Sequence, residues 1–278
     1  MSNLDQHLSA SQKLATDDLD WDLAAKIGLS QSERCALRYF ADVEGQTVHY
    51  FLEVAKLEAA RDPELLTFLT LWNYEEYFHG HALSRLLDVC GTPQTAACER
   101  TGQVRSQARF KATIEDWVQR GIARLMPRTF VALWMTWGAL QEGLTTRGYE
   151  ELARNTANPV LAELCQRIAK QERRHFAYYY GQAKLRLAES RFTQRVVRYV
   201  VEHCFSLVGS GVKTELEMAT LIGQLFAGPR LLEVTAGLDK RIGALPGMAG
   251  TELVQRYARE QTRLLAAPGE LAPELALG

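Results

Sequence analysis

Two stretches of this chain, Trp72 to Gly80 and Ile168 to His175, each carry a Glu-x-x-His inside a run of helical periodicity: Glu76 with His79, and Glu172 with His175. Residues three apart lie on one helical face, so each pair can reach a single point. One such pair is commonplace in a helical protein. Here each pair follows, by roughly thirty residues, an isolated glutamate on an apolar helix, Glu44 in one case and Glu142 in the other. Four facing helices that contribute two lone glutamates and two Glu-x-x-His pairs form the ligand set of a two-metal carboxylate site. A carboxylate in an apolar stripe carries a large desolvation cost unless a positive charge compensates it. The fold must therefore bring all six groups to one level of a bundle.

The punctuation of the chain supports that demand. Helical periodicity runs over residues 32–61, with Leu37, Phe40, Ala41, Glu44, Val48, Phe51 and Ala55 on one stripe. Asp62-Pro63 ends this helix and opens a second over 63–90; Asn158-Pro159 repeats the device between a third helix, 129–155, and a fourth, 159–190. Glu76 and Glu172 each lie 13 residues past the proline of their own helix, an internal symmetry that sets the acidic groups at matched heights. A connecting helix is expected over 110–125. Residues 1–30 read as an arm with one short helix, packed through Trp21. Accessory helices of the same domain are expected at 191–206, 214–226, 229–240 and 250–264, within 191–265. Residues 266–278 read as a mobile tail. The fold class is all-α, a four-helix bundle over 31–190 with peripheral helices.

Several neighbours compete with the six groups. Glu53 lies nine residues from Glu44, about 180° around the helix, beside Gln46, His49 and Lys56 on a polar face, so Glu44 is the choice. Glu75 is not three residues from His79, and Glu76 is. His81 points away, as a surface group or an outer partner. Glu150 and Glu151 fall near a helix end and read as solvated. Arg173 and Arg174 flank the Glu172 face as candidate ion-pair partners. Zinc sites favour Cys and His and need four ligands; a carboxylate-rich set of six suits iron or manganese.

Bulk properties exclude other classes. A net charge of −1 gives no reason to expect nucleic-acid binding. Five cysteines without Cys-x-x-Cys spacing read as thiols in a reducing, cytoplasmic setting. The first residues lack the pattern of a signal peptide, and no run of about 18 apolar residues predicts a membrane span.

The segments Trp72-x-x-Glu75-Glu76-x-x-His79-Gly80-x-x-Leu83, Gln141-Glu142-x-x-Thr145 and Ile168-Ala169-x-x-Glu172-x-Arg174-His175 resemble those of the soluble acyl-carrier-protein desaturases, the type 2 fatty acid desaturases. The length and the Val208-Gly209-Ser210-Gly211-Val212 loop look most like the shorter actinobacterial-type members. The likeness covers about residues 31–215. It implies a ferritin-like bundle, a homodimer and a di-iron centre. In that pattern Glu76 and Glu172 bridge two irons, Glu44 and His79 complete one, and Glu142 and His175 the other. Thr145 matches a threonine near where oxygen binds; its alternative is a hydroxyl bonded back to its own helix. The plant-type pattern has an aspartate before the helix-four glutamate, supporting a histidine ligand. Here Gln171 stands there, an acceptor without charge.

The implied activity is oxygen-dependent desaturation of a carrier-bound acyl chain, with electrons from a ferredoxin. Other readings are hydroxylation or N-oxygenation of a small molecule by the same scaffold, and iron storage or peroxide scavenging. An acidic carrier needs a basic landing surface. Two groups qualify, Arg100, Arg105, Arg109 and Lys111, and Lys184, Arg186, Arg191, Arg195 and Arg198, unless they are ordinary solvated faces. Trp134, Trp137, Tyr178, Tyr179 and Tyr180 either line an acyl channel or fill the core.

Overall fold

In the computed structural model, residues 3–57, 62–92, 123–206, 209, 213–226 and 229–266 are described. Among them there are eleven helices and no strand. They are α1 (Asn3–Ala10), α2 (Trp21–Ile27), α3 (Gln31–Glu44), α4 (Thr47–Ala55), α5 (Pro63–Val89), α6 (Pro127–Asn155), α7 (Pro159–Ala188), α8 (Arg191–Cys204), α9 (Glu215–Leu225), α10 (Arg230–Gly243) and α11 (Leu253–Ala266).

The prolines act as the sequence predicts. Pro63 and Pro159 occupy the first turns of α5 and α7, where a missing N–H costs nothing. The Asp62 carboxylate accepts from the Glu64 N–H at 2.9 Å, and Asn158 Oδ1 accepts from the N–H groups of Val160 and Leu161. The Asn158 amide also donates to the Ala24 and Gly28 carbonyls, fastening α2 to the start of α7. α6 begins at Pro127, two residues before the expected start.

One expectation is corrected. The predicted helix 32–61 is two helices, α3 and α4, parted at Gly45-Gln46. The Gln46 N–H bonds to Val43 and the His49 N–H to Gln46, three residues back rather than four, and the Thr47 hydroxyl takes the Glu44 carbonyl at 2.8 Å. Gly45 and Gln46 keep right-handed helical backbone angles, so the apolar stripe continues across the break and hides it. The arm holds two helices, not one, and Trp21 packs beneath the Arg85 guanidinium, 4.3 Å from its ring centre. The connecting helix 110–125 lies outside the described residues up to 122, and the tail from 267 onward lies outside them too.

Two dry cores divide the bundle. Leu37, Phe40, Leu83, Leu86, Tyr149, Leu161 and Ile168 belong to one; Leu65, Phe68, Leu69, Met135, Ala139, Tyr178 and Tyr179 belong to the other. Along α5 and α6 the chain passes from the second core to the first, and along α3 to α4 and along α7 it passes from the first to the second. Between the two cores lies a waist that every bundle helix crosses, at Glu44, at 75–79, at 142–145 and at 171–175. All six predicted groups fall in that waist, and all are buried.

Close approach at the waist needs glycine in two places. A Cβ on Gly80 would lie 3.3 Å from Glu44 Cβ and from the Gly45 backbone nitrogen, so Gly80 lets α5 press against the end of α3. A Cβ on Gly138 would sit 2.3 Å from the Tyr179 ring. Gly138→Ala is therefore expected to destabilise the bundle by about 1–3 kcal/mol, as overpacking does, read as a lowered thermal midpoint; an unchanged midpoint would show that Tyr179 moves freely.

Candidate metal centre

The six groups converge as two overlapping clusters. Glu44, Glu76, His79 and Glu172 form one, and Glu76, Glu142, Glu172 and His175 the other; in each, the ligand atoms lie within 4.8 Å of one another. Glu76 and Glu172 belong to both. Each offers an oxygen to both histidines: His79 Nδ1 stands 3.3 Å from Glu76 Oε2 and 3.1 Å from Glu172 Oε1, and His175 Nδ1 stands 3.0 Å from Glu76 Oε1 and 3.3 Å from Glu172 Oε2. Glu142 Oε2 lies 3.6 Å from His175 Nδ1. Both imidazoles thus turn Nδ1 inward.

The outward nitrogens have dedicated partners. His79 Nε2 meets Gln171 Oε1 at 2.7 Å, and His175 Nε2 meets Glu75 Oε2 at 2.6 Å. Each partner is the residue just before the shared glutamate of the opposite helix, so the two halves repeat one arrangement. Gln171 takes the position anticipated for it. Glu75, set aside as a ligand by its spacing, supports His175 instead. It also accepts from Arg174 at 2.9 Å, and its carboxyl falls to about 2: burial raises it, and the His175 hydrogen bond and charge outweigh that. The lone glutamates are held too. The Tyr149 hydroxyl donates to Glu44 Oε1 at 2.6 Å, and the Trp72 indole N–H donates to Glu142 Oε1 at 3.0 Å. Sequence spacing identified neither donor as such.

The electrostatics of the cluster ask for cations. Burial drives the Glu44 and Glu142 carboxyls well above the ordinary range, and neighbouring carboxylates add to it. Burial acts on Glu76 and Glu172 in the same sense, but hydrogen bonds and the nearby imidazoles bring both below it. Burial lowers His79, yet the Glu76 and Glu172 carboxylates raise it to about 10, and His175 is raised as well. Protons on the histidines here do what metal ions would do better. Four carboxylates balance two divalent ions, and Glu76 Oε1 and Glu172 Oε1 are buried 3.0 and 3.1 Å from the imidazole nitrogens of His175 and His79 without an aligned hydrogen bond. The donor set, oxygen-rich with two nitrogens, fits iron or manganese.

Other residues fall as follows. His81 is exposed and stacks on Tyr77. Glu151, expected in solvent, is buried and paired with Arg154 and Arg230, because α10 packs over the end of α6; Glu150 pairs with Arg147 and Arg173. His7 of the arm is buried 4.9 Å from the Phe68 ring and 5.8 Å from that of His175, which no periodicity announced. Burial, with the His175 charge, lowers it to about 4. Of the aromatics, Trp134, Tyr178 and Tyr179 are packed in the second core, Tyr178 stacked 3.7 Å from Phe68. A separate apolar pocket of about 50 Å³ lies on the Thr145 and Gly148 face of α6, closed by Phe40, Leu225, Tyr257 and Ala258. Thr146, not Thr145, bonds back to the Glu142 carbonyl, at 2.7 Å.

A helical bundle of the ferritin-like kind, with buried carboxylates and imidazoles paired across its waist, defines a class of metal-carboxylate oxidoreductases. The family described as "Fatty acid desaturase" matches residues 46–196, over half of the sequence, and the chain belongs to that family, the type 2 desaturases. Membership makes it an oxidoreductase, and the clusters are compatible with a di-iron site. No curated protein and no solved structure matches the chain.

Two outcomes are expected. Glu172→Ala removes a group common to both clusters, so anaerobic ferrous titration should find fewer than two irons per chain; two tightly held irons would refute the assignment. Iron must also displace protons from Glu44, Glu142 and the histidines. Ferrous affinity should therefore rise with pH until His79 gives up its proton, at about 10, with proton release on binding below that, measured in a weakly buffered titration; an affinity flat with pH would contradict it.

Proposed function

We propose that the chain is an oxygen-dependent di-iron oxidoreductase that desaturates an acyl chain carried on an acidic carrier protein, with electrons from a ferredoxin-type donor. The observation that carries this is the pair of buried four-residue clusters sharing Glu76 and Glu172, within a chain of the desaturase family. Glu76 and Glu172 would span two irons, Glu44 and His79 would hold one, and Glu142 and His175 the other. When bound, such a pair supplies electrons to oxygen and the oxidising power to take hydrogen from an unactivated C–H bond, which no side chain has.

The chain's own residues do the rest. Gln171 and Glu75 turn the imidazoles so that Nδ1 faces the centre. Tyr149 and Trp72 hold the terminal carboxylates by one oxygen each. The dry cores on either side exclude water. Thr145, three residues past Glu142 and on the wall of the apolar pocket, is assigned the role of handling a proton beside the reacting carbon. The pocket is almost wholly apolar, which suits hydrocarbon, but its volume of about 50 Å³ admits about two methylenes, so a longer acyl chain needs its walls to part.

For the carrier, the first basic group, Arg100 to Lys111, lies outside the described residues. In the second, Arg186 is engaged by Asp62, and Arg198 by Glu202 and the Gly247 and Ala249 carbonyls. Lys184, Arg191 and Arg195 remain exposed where α7 meets α8, the surface we assign to an acidic carrier.

One observation favours a second reading, oxygen insertion rather than desaturation: the partner of His79 is a neutral amide where the plant-type pattern has a carboxylate. The deciding experiment loads the chain anaerobically with ferrous iron, adds oxygen and acyl-carrier substrates, and weighs the products. Loss of two hydrogens is expected; gain of one oxygen would establish the second reading, and no product from any acyl carrier would overturn the first. Ala258→Phe, which fills the pocket far from the ligands in sequence, should keep both irons and lose turnover of long chains.

A further inference from the structure

The arm preceding the bundle lies outside the residues matched by the family, yet one of its residues touches the supports of both histidines. Residues 11–16 join α1 to the turn before α2 without helical structure. The Gln12 backbone N–H donates to Glu75 Oε1 at 2.9 Å, and the Gln12 backbone C=O accepts from Gln171 Nε2 at 2.9 Å. Glu75 and Gln171 are the groups that meet the outer nitrogens of His175 and His79. The Gln12 side chain itself is exposed. We propose that the Gln12 backbone is a clip that positions both metal-binding imidazoles, fixing which nitrogen of each faces the metals; the proposal rests on the assignment of the di-iron centre above.

The chemistry of an amide makes the argument. A carbonyl only accepts, so Gln171 must present its NH₂ to the Gln12 C=O, which leaves Oε1 as the atom facing His79. An amide oxygen also only accepts. His79 Nε2 must then carry a proton, which leaves Nδ1 as the nitrogen turned to Glu76 and Glu172, the one that gives up its proton when a metal binds. A flipped Gln171 would set two carbonyl oxygens against each other and offer His79 a donor, favouring the other tautomer. On the opposite half, Glu75 Oε1 is taken by the Gln12 N–H and by Arg174, which commits Oε2 to His175. One residue thus orients the outer partners in both halves.

The arm is pinned on either side of the clip. Arg167 makes a two-pronged pair with Asp18, at 2.6 and 2.7 Å, and donates to the Ala15 carbonyl. On the other side, the His7 ring is wedged against Phe68. These contacts hold the chain at Gln12 without involving its side chain, so what residue 12 must supply is its N–H and C=O.

The test separates backbone from side chain. Gln12→Pro removes the N–H and leaves the carbonyl. Gln12→Ala keeps both. Anaerobic ferrous titration of the full chain should give the same two binding constants in the wild type and in Gln12→Ala. In Gln12→Pro one step should weaken by about 10–100-fold, the usual cost of removing a partner behind a metal ligand. Hydrogen exchange on the metal-free wild type should find the Gln12 amide protected. Equal iron binding by Gln12→Pro and the wild type would overturn the clip, as would an equal loss in Gln12→Ala or an unprotected Gln12 amide. A wild type that binds no iron would overturn the centre itself, a result distinct from all of these.

Discussion

Four carboxylates confined within a few ångströms, in a waist closed above and below by hydrocarbon, are the constraint from which the rest of this structure follows. Each ion moved out of water costs several kcal/mol even after relaxation, and like charges at this separation raise one another further. Among the described residues, arginines do not relieve this. Those near the waist, Arg173 and Arg174, are already committed to Glu150 and Glu75. Protonated imidazoles are a partial answer and divalent ions a fuller one. The bundle is built to hold charge that it does not itself possess.

Meeting that constraint dictates local backbone choices. The lone glutamate of the first half must reach the same level as the Glu-x-x-His of α5, and the α3–α4 break places Glu44 at a helix end against Gly80. Gly138 admits the Tyr179 ring beside α6. The shared glutamates stand at equal distances from their helix-starting prolines, and the resulting register puts the residue before each of them behind the opposite histidine. Sequence symmetry thus becomes symmetry of hydrogen bonding.

Much of this was legible in the residues, for an identifiable reason. Helical period and ligand spacing are local properties, and the six groups, the two proline-led helices and the accessory helices follow from them. What escaped was set by contacts distant in sequence. Glu75 reads as a rejected competitor because its partner, His175, is 100 positions away. Tyr149 and Trp72 lie on the buried stripes of their helices, and nothing local distinguishes a core aromatic from one that donates to a carboxylate. Glu151 looks like an exposed helix-end acid until α10 brings Arg230 to it. The break after Glu44 is silent because Gly45 and Gln46 retain helical angles. The arm's proposed role is the least legible of all, since it works through backbone atoms that every residue but proline has.

The two halves are alike but not identical, and the difference has an electrostatic logic. Behind His175 stands an acid, Glu75, whose charge is met by Arg174, two residues past Glu172. The corresponding residue in the other half, two past Glu76, is Phe78. Lys13 lies over that ring, 5.4 Å from its centre. An acid at position 171 would thus lack the counterpart of Arg174 and add a fifth carboxylate near the waist. Gln171 supplies the acceptor that His79 needs without that charge, and its amide gains a second contact, to Gln12, that a carboxylate could not make. Each imidazole is therefore supported by a unit that is neutral as a whole, an ion pair in one half and an amide in the other. An imidazole bonded to a carboxylate is the more basic donor, so the two proposed metal positions would be unequal, with the stronger donor on the side of Glu142 and Thr145.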